Sequence, residues 1–540
     1  MEVVPVPRSE LTAASETPRD PVAADATPQA DATPQADATT QADATPQADA
    51  TRQADATPAP PAVAIEAAIP PPVVALLERL WSDGHHAYVV GGSLRDVLLG
   101  REAHDWDLAT SARPEQVQAL FPGARYENRF GTVGVLDASG TPHEITTFRD
   151  EHDYADFRRP HRVEFGDSIE RDLGRRDFTV NALAWGRDVD EAAAHLVDPF
   201  DGVGDIRARR IRTVGDPAAR FGEDALRMLR AVRFAAALDL ELEAATLAAI
   251  RASADLARHL SGERVGAELV RLLAAPRPSV GLRLAAETGL LDVVLPELAA
   301  QRGVGQNKIA GEDLWDHTLR TVDAVPADRP VVRLAALLHD VGKPQTAADG
   351  HFHGHDAVGA ELAGEILRRL RLPSATVAEV VRLVRFHMFG YHATWGDGAV
   401  RRFVAKVGPG AIADLLALRA ADNVGSGLEA DAGRHRELVE RIDRVLHEPL
   451  PLDRRALAVD GRTLIADVGF APGPALGRVL DRLLERVIDD PSLNERETLL
   501  RLARAMKPNA ERTEAARRAA RAIPGSGGPA DGGPEPKAVE

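Results

Sequence analysis

The hydrophobic period changes once along this chain, near residue 200, and that change restricts its fold more than any other feature. Upstream the pattern mixes helical and two-residue spacing: a helix over 71–82, a strand at "AYVV" (87–90), a Gly-Gly turn and a helix from 93. A strand carrying two aspartates follows, then strands at "GTVGVL" (131–136) and "HEITTFR" (143–149). Beyond 216 the spacing is almost entirely helical, with Pro and Gly breaks near 275–280, 303–311, 344–356 and 449–461. The pattern predicts an α/β head, a mixed β-sheet with helices, followed by all-α modules.

Composition narrows the chemistry. The 540 residues include no cysteine, so disulfides, thiolate metal sites and Cys nucleophiles are all excluded, and any metal must sit on oxygen and imidazole. No run of 18 apolar residues and no charged-then-apolar N-terminal signal occurs, which predicts a cytoplasmic protein with no membrane partner. The net charge of −17 argues against a uniformly basic, nucleic-acid-coated surface, although local basic grooves survive in acidic proteins. Residues 22–57 cycle through "ADATPQ" with almost nothing large enough to bury, so residues 1–65 are expected as a disordered repeat tail. Residues 509–540 are expected as a second disordered tail, opening on an Arg-rich amphipathic stretch at 512–522 that either touches RNA or is a solvated helix.

The head carries a phosphate-binding pattern. "VVGGSLRDVLLG" (89–100) reads as strand, Gly-Gly turn and helix start, where free backbone N–H groups and the helix dipole face an anion; Gly91 and Gly92 let the backbone approach, and Arg95 lies one turn in. In "HDWDLATS" (104–111), Asp105 and Asp107 are two apart, so in extended chain they share a face and can converge on one cation, which suggests Mg²⁺ and phosphate chemistry. Glu144 is the candidate third carboxylate, its alternative being a solvent-facing strand edge. "LGRRDFTVNALAWG" (173–186) adds Arg176 for triphosphate, with Asp177 and Asn181 either contacting ribose hydroxyls or buttressing the loop.

In "GEDALRMLRAVRF" (222–234), Asp224, Arg227, Arg230 and Arg233 recur every three residues opposite Leu226, Leu229 and Val232 on one expected helix. A carboxylate that accepts from an exocyclic amine, beside a guanidinium that donates to the adjacent ring acceptor, selects cytosine and adenine over uracil and guanine. The alternative is an i,i+3 surface salt bridge, worth little.

These segments, with "DPFDGVGDI" (198–206) and "SGERVGAELVRLL" (261–273), resemble in order and spacing the class II CCA-adding tRNA nucleotidyltransferases and the similar bacterial poly(A) polymerases, over about 70–505. The resemblance implies metal binding and catalysis by Asp105 and Asp107; nucleotide phosphates on Gly92, Arg95 and Arg176; and the base and remaining nucleotide on Asp224, Arg227, Arg230 and Arg233. It implies tRNA, CTP and ATP as partners, and Mg²⁺ in the head. Leu94 stands where the family is expected to have Val, a conservative departure, and the loop 156–166 resembles the family's mobile loop without assignable roles.

Seven of the 17 histidines fall between 317 and 392. His317, His339 with Asp340, His355, His387 and Asp422 resemble the full ligand series of the HD phosphohydrolase superfamily, which implies Mg²⁺, Mn²⁺ or Ni²⁺ and hydrolysis of phosphoesters; the alternative is a structural remnant. His351, His353 and His392 carry no expected role.

The expected organisation is head 66–205, helical nucleotide- and RNA-binding neck 206–300, HD body 301–430 and tRNA-binding helical tail 431–508, whose "PGPALG" turn meets the tRNA elbow. The expected activity is template-independent CCA addition from CTP and ATP with an HD phosphohydrolase beside it. C-only, A-only or poly(A) addition, and a mainly hydrolytic enzyme, remain the alternatives. Sequence leaves the oligomeric state and the HD metal open.

Overall fold

The computed structural model describes residues 60–126, 131–154, 160–306, 308–447 and 453–522. The repeat tract, residues 156–159 of the loop at 156–166 and the chain from 523 onward lie outside the described residues. At both tail boundaries the structure differs from expectation. The helix Pro61–Ala68 starts inside the segment read as tail, and its Ile65 is fully buried. At the other end one helix runs Arg496–Ala522, through the position where a tail was expected to begin. Small residues hid the first, since Ala-rich segments lack a strong periodic signal but have high helix propensity; at 512–522 the structure agrees with the helical alternative for the Arg-rich stretch.

Seven strands form the head sheet, in the order β3 (Arg125–Tyr126), β4 (Thr132–Leu136), β5 (Pro142–Thr147), β2 (Asp107–Thr110), β1 (Ala87–Val90), β8 (Ala184–Arg187), β9 (His195–Val197). β6 (Arg149–Tyr154) and β7 (Pro160–Phe165) pair separately as a hairpin. All four residues of β1 are buried, because the sheet is covered on both faces and its central strand reads as an unbroken apolar run. Ala87 and Val89 join the main core with Leu94 and Leu108, while Tyr88 and Val90 turn to a second core with Phe148, Ile169 and Leu173.

Register fixes the site. β1 and β2 are antiparallel with Val90 opposite Asp107; β2 and β5 are parallel with Leu108 opposite Ile145. The Gly-Gly turn after β1, Asp107 at the start of β2, and Glu144 on β5 therefore fall at one end of the sheet. Beyond the head every element but a two-residue strand pair is helical among the described residues. The helix Leu226–Leu238 buries Met228, Leu229, Val232 and Phe234, and packs so closely on Pro278–Glu287 that a Cβ on Gly281 would lie 2.7 Å from the Val232 carbonyl. The tail helices Gly461–Val468, Pro474–Asp489 and Arg496–Ala522 close on their own core of Leu464, Val479, Leu483 and Leu499.

No single described helix is long and apolar enough to cross a membrane; the bent pair Pro61–Ala68 and Pro71–Ser82 passes by composition alone, and its Ile65, Leu77 and Leu80 are buried in the core.

Candidate functional site

Gly91 holds φ 83° and ψ −128°, a region open to glycine, and turns the chain so that Gly92 begins the helix Gly92–Leu98. A Cβ on Gly91 would meet Arg176 Nη1 at 2.7 Å, so the turn and this guanidinium need each other's shape. The turn opens into a cleft of about 600 Å³ lined by Arg95, Asp107, Glu144, Arg176, Asp224, Arg227, Arg230 and Arg233 among others. These are nearly all the residues that the sequence singled out in the head. Asp105 is the exception: it is exposed on the approach to β2, outside the lining, with buried Trp106 between it and Asp107. Burial raises the Asp107 carboxyl to about 6, the Glu144 charge adds to this, Arg176 opposes it, and Asp105 contributes further. Glu144 lines the same cleft beside Asp107 and remains solvent-exposed.

Asp177 and Asn181 lie on a bend and a 3₁₀ turn, Thr179–Asn181, not on one helical face. They buttress. Arg95 Nη1 donates to Asn181 Oδ1 (2.6 Å), Asn181 Nδ2 to Asp177 Oδ1 (3.0 Å), and Arg230 Nε to Asp177 Oδ2 (2.7 Å), which ties the helix Gly92–Leu98 to the neck.

The expected single helix over 222–234 is two. Asp224 is the extended residue (φ −143°) that ends the helix Pro217–Glu223, and its Oδ1 accepts from the Leu226 N–H (3.0 Å) at the start of the next. Three-residue spacing across a helix break looks like a stripe, and the capping chemistry of Asp was the overlooked signal. Asp224 and Arg227 do not pair with each other. Asp224 Oδ2 accepts from Arg264 Nη2 (2.7 Å), whereas Arg227 donates to Glu223 Oε2 (2.5 Å) and to the carbonyls of Arg220 and Arg175 (both 3.1 Å). Arg233 Nε donates to buried Glu268 (2.6 Å), and Arg95, Arg230 and Arg233 surround the Phe234 ring. Sequence reasoning missed Arg175, Arg264, Phe234 and Glu268 here; Arg264 and Glu268 stood in a recognised motif but with no spacing that assigned them a partner.

The second site gathers all six residues expected for it. His339 follows the helix Pro330–Leu338 and Asp340 comes next, both buried. Asp340 divides the cluster: Oδ2 faces His339 Nε2 (3.0 Å) and His317 Nε2 (3.4 Å), while Oδ1 faces His355 Nε2 (3.3 Å) and His387 Nε2 (3.6 Å). Asp422 Oδ1 lies 3.3 Å from His317 Nε2. The Nδ1 atoms of His339, His355 and His387 each donate to a backbone carbonyl, at 2.8, 2.7 and 2.7 Å. With Nδ1 protonated, the Nε2 atoms of His339, His355 and His387 present lone pairs to the cluster, His339 Nε2 lying 3.1 Å from His317 Nε2 and His355 Nε2 3.3 Å from His387 Nε2. That donor set fits a divalent cation. Burial opposes ionisation of Asp340, yet the imidazoles of His339, His317 and His355 hold its carboxyl well below the usual range.

Lysines stand at this cluster that the sequence did not flag: Lys343 Nζ donates to Asp340 Oδ2 (2.7 Å), and Lys308 Nζ lies 3.1 Å from His317 Nε2. Both line a cleft of about 600 Å³ with Arg419, Phe352 and Met388; His351 and His353 line it too, stacked at 5.4 Å.

A mixed-sheet head with a Gly-Gly helix start facing carboxylates and arginines, joined to a helical body with an HD cluster, defines a nucleotidyltransferase with a second, metal-type site. Family models match in the same order: the poly A polymerase head domain over 87–212, the probable RNA- and SrmB-binding site of polymerase A over 239–302, and the HD domain over 308–426. The CCA-adding enzyme of Levilactobacillus brevis is 35% identical over 430 residues, covering 79% of this chain and 95% of the relative; that of Geobacillus thermodenitrificans is 36% identical over 429, covering 79% and 94%. The solved Bacillus stearothermophilus CCA-adding enzyme in complex with CTP aligns with a TM-score of 0.62 at 32% identity, over 83% of this chain and all of that one. The chain belongs to the CCA-adding enzyme family.

Proposed function

We propose that this chain completes the CCA end of tRNA without a nucleic-acid template, joining CMP and AMP units from CTP and ATP to the terminal hydroxyl and releasing pyrophosphate in the cytoplasm. The observation that carries this reading is the cleft itself, in which the Gly91–Gly92 turn, the Asp107 and Glu144 carboxylates and the Asp224–Arg264 and Arg227 groups share one opening. Relatives support the substrates: one solved family member is in complex with CTP at 32% identity. In the proposed arrangement Gly92, Arg95 and Arg176 receive the triphosphate, and Asp224 with Arg227 reads the base, Arg230 and Arg233 holding the remaining nucleotide. The donors of Arg227 and the Asp224 carboxylate are already paired, so the base exchanges with partners the protein has supplied rather than with bare water. Asp105 and Asp107 would hold Mg²⁺, which when bound neutralises phosphate charge and activates the attacking hydroxyl. Everything else is positioning.

Nucleotide choice tests the base reader. With CTP on tRNA lacking its CCA end, and ATP on tRNA ending in both Cs, incorporation is expected to be at least about 100-fold more efficient than with UTP or GTP, since a carboxylate facing a carbonyl leaves both groups unpaired. Equal use of all four nucleotides would remove Asp224 and Arg227 from that role.

The lone-pair geometry at Asp340 favours a second activity, metal-dependent hydrolysis of 2′-phosphate, 2′,3′-cyclic or nucleotide phosphoesters in the HD cleft. His317, His339, Asp340, His355, His387 and Asp422 would hold Ni²⁺, Mn²⁺ or Mg²⁺, which supplies Lewis acidity there.

A further inference from the structure

We infer that Asp172 is a positioning residue of the nucleotide cleft, a buried carboxylate that clamps Arg175 and steadies Arg176 over the Gly-Gly turn to receive a triphosphate; this rests on the proposed nucleotide reading of that cleft. Asp172 lies on the helix Ile169–Gly174, whose N-terminus Ser168 caps through the Arg171 N–H. Its side chain is only 1% exposed, yet the residue lines the cleft with both arginines. Oδ1 accepts from Arg175 Nη2 (2.7 Å) and Nε (3.0 Å), and from the Arg149 backbone N–H (3.3 Å). This is a firm clamp on one guanidinium.

Arg176 is held loosely by comparison. Its Nη2 is 3.5 Å from Asp172 Oδ2, which makes no hydrogen bond; Nη1 reaches the Asn181 carbonyl at 3.3 Å; and buried Nε has no hydrogen-bond partner among the described residues. A guanidinium so placed retains donor capacity for a ligand. Nη1 also stands 2.7 Å from where a Cβ on Gly91 would be, over the turn that begins the helix Gly92–Leu98. Two adjacent arginines repel each other and would spread into solvent if nothing offset their charge. Asp172 supplies that offset and leaves Arg176 with donor capacity for phosphate oxygens.

Competing effects make the sign of the test informative. Removing the carboxylate takes a negative charge away from the phosphate site, which alone would tighten anion binding, whereas losing the clamp weakens it. In the full chain, Asp172→Asn is expected to raise the Kd for CTP by about tenfold or more while leaving CMP within about twofold, because only the triphosphate needs the arginine pair. KM for CTP is expected to rise more than kcat falls, and Asp172→Glu to recover part of the loss. CTP affinity that is unchanged or tighter would overturn the proposal. So would equal losses for CTP and CMP, which a merely structural role produces. If Asp172→Asn does not fold, the same CTP and CMP comparison on Asp172→Glu decides. Wild-type protein that binds neither nucleotide would overturn the nucleotide reading of the cleft, a result distinct from failure at Asp172 alone.

Discussion

Asp107→Asn is expected to lower nucleotide addition by about 1,000-fold while HD phosphoesterase activity stays unchanged. Asp107 faces the cleft from the first position of β2, opposite the end of β1, and is the carboxylate nearest to both the phosphate turn and Glu144 by register. Asparagine keeps the shape and removes the charge, and loss of one such electrostatic contributor costs roughly 100- to 1,000-fold. The same residue sets a pH limb. Its carboxyl is raised to about 6, first by burial and then by the Glu144 charge, so it is ionised and able to hold a cation above that pH and neutral below it. The Mg²⁺ concentration for half-maximal addition is therefore expected to climb as pH falls from 7 to 5.5. Glu144→Gln removes the like charge and should move that limb to lower pH; a limb that stays in place would separate Glu144 from the acidic group. A parallel assay of phosphate release from 2′,3′-cyclic AMP shows whether the two sites are independent.

Asp340→Asn is expected to abolish the HD activity, by on the order of 1,000-fold, and to lower bound divalent metal measured after dialysis, with nucleotide addition retained. The reason is its double duty: one oxygen faces His317 and His339, the other His355 and His387, so a single substitution disturbs both halves of the cluster. Losing a ligand that serves one half alone, such as His387, should leave part of the metal in place. Because Asp340 also accepts from Lys343, thermal melting of the variant should accompany the metal measurement; full metal retention in a folded Asp340→Asn protein would contradict the bridging assignment.

The head was legible because its chemistry sits on local patterns. A Gly-Gly dipeptide after an apolar run, and an aspartate at the start of a strand, retain their meaning in three dimensions, since the helix start and the strand carry Gly91, Gly92 and Asp107 directly into the cleft, while Asp105 stays on its approach. The HD cluster was legible for a different reason: imidazoles in such number have few structural uses. What sequence could not resolve was long-range pairing. The Arg264 contact to Asp224 spans 40 residues, and nothing in the local spacing of either predicts it. The break at Asp224 was hidden because three-residue spacing continues across a cap, and only Asp224 Oδ1 on the Leu226 N–H reveals the joint. Lys308 and Lys343 went unnoticed since a lysine beside a loop is usually solvated; here tertiary packing turns both toward buried carboxylates.

The most direct test of the account is product length. Purified full-length protein with Mg²⁺ would be given tRNAs ending before the first C, after one C and after both Cs, with CTP, ATP or both, and the products resolved at single-nucleotide steps. The account predicts addition of two, one and no C residues respectively, then one A, with extension halting at CCA in every case when both nucleotides are present. Addition confined to C or to A, or a long ladder of A residues, would contradict it.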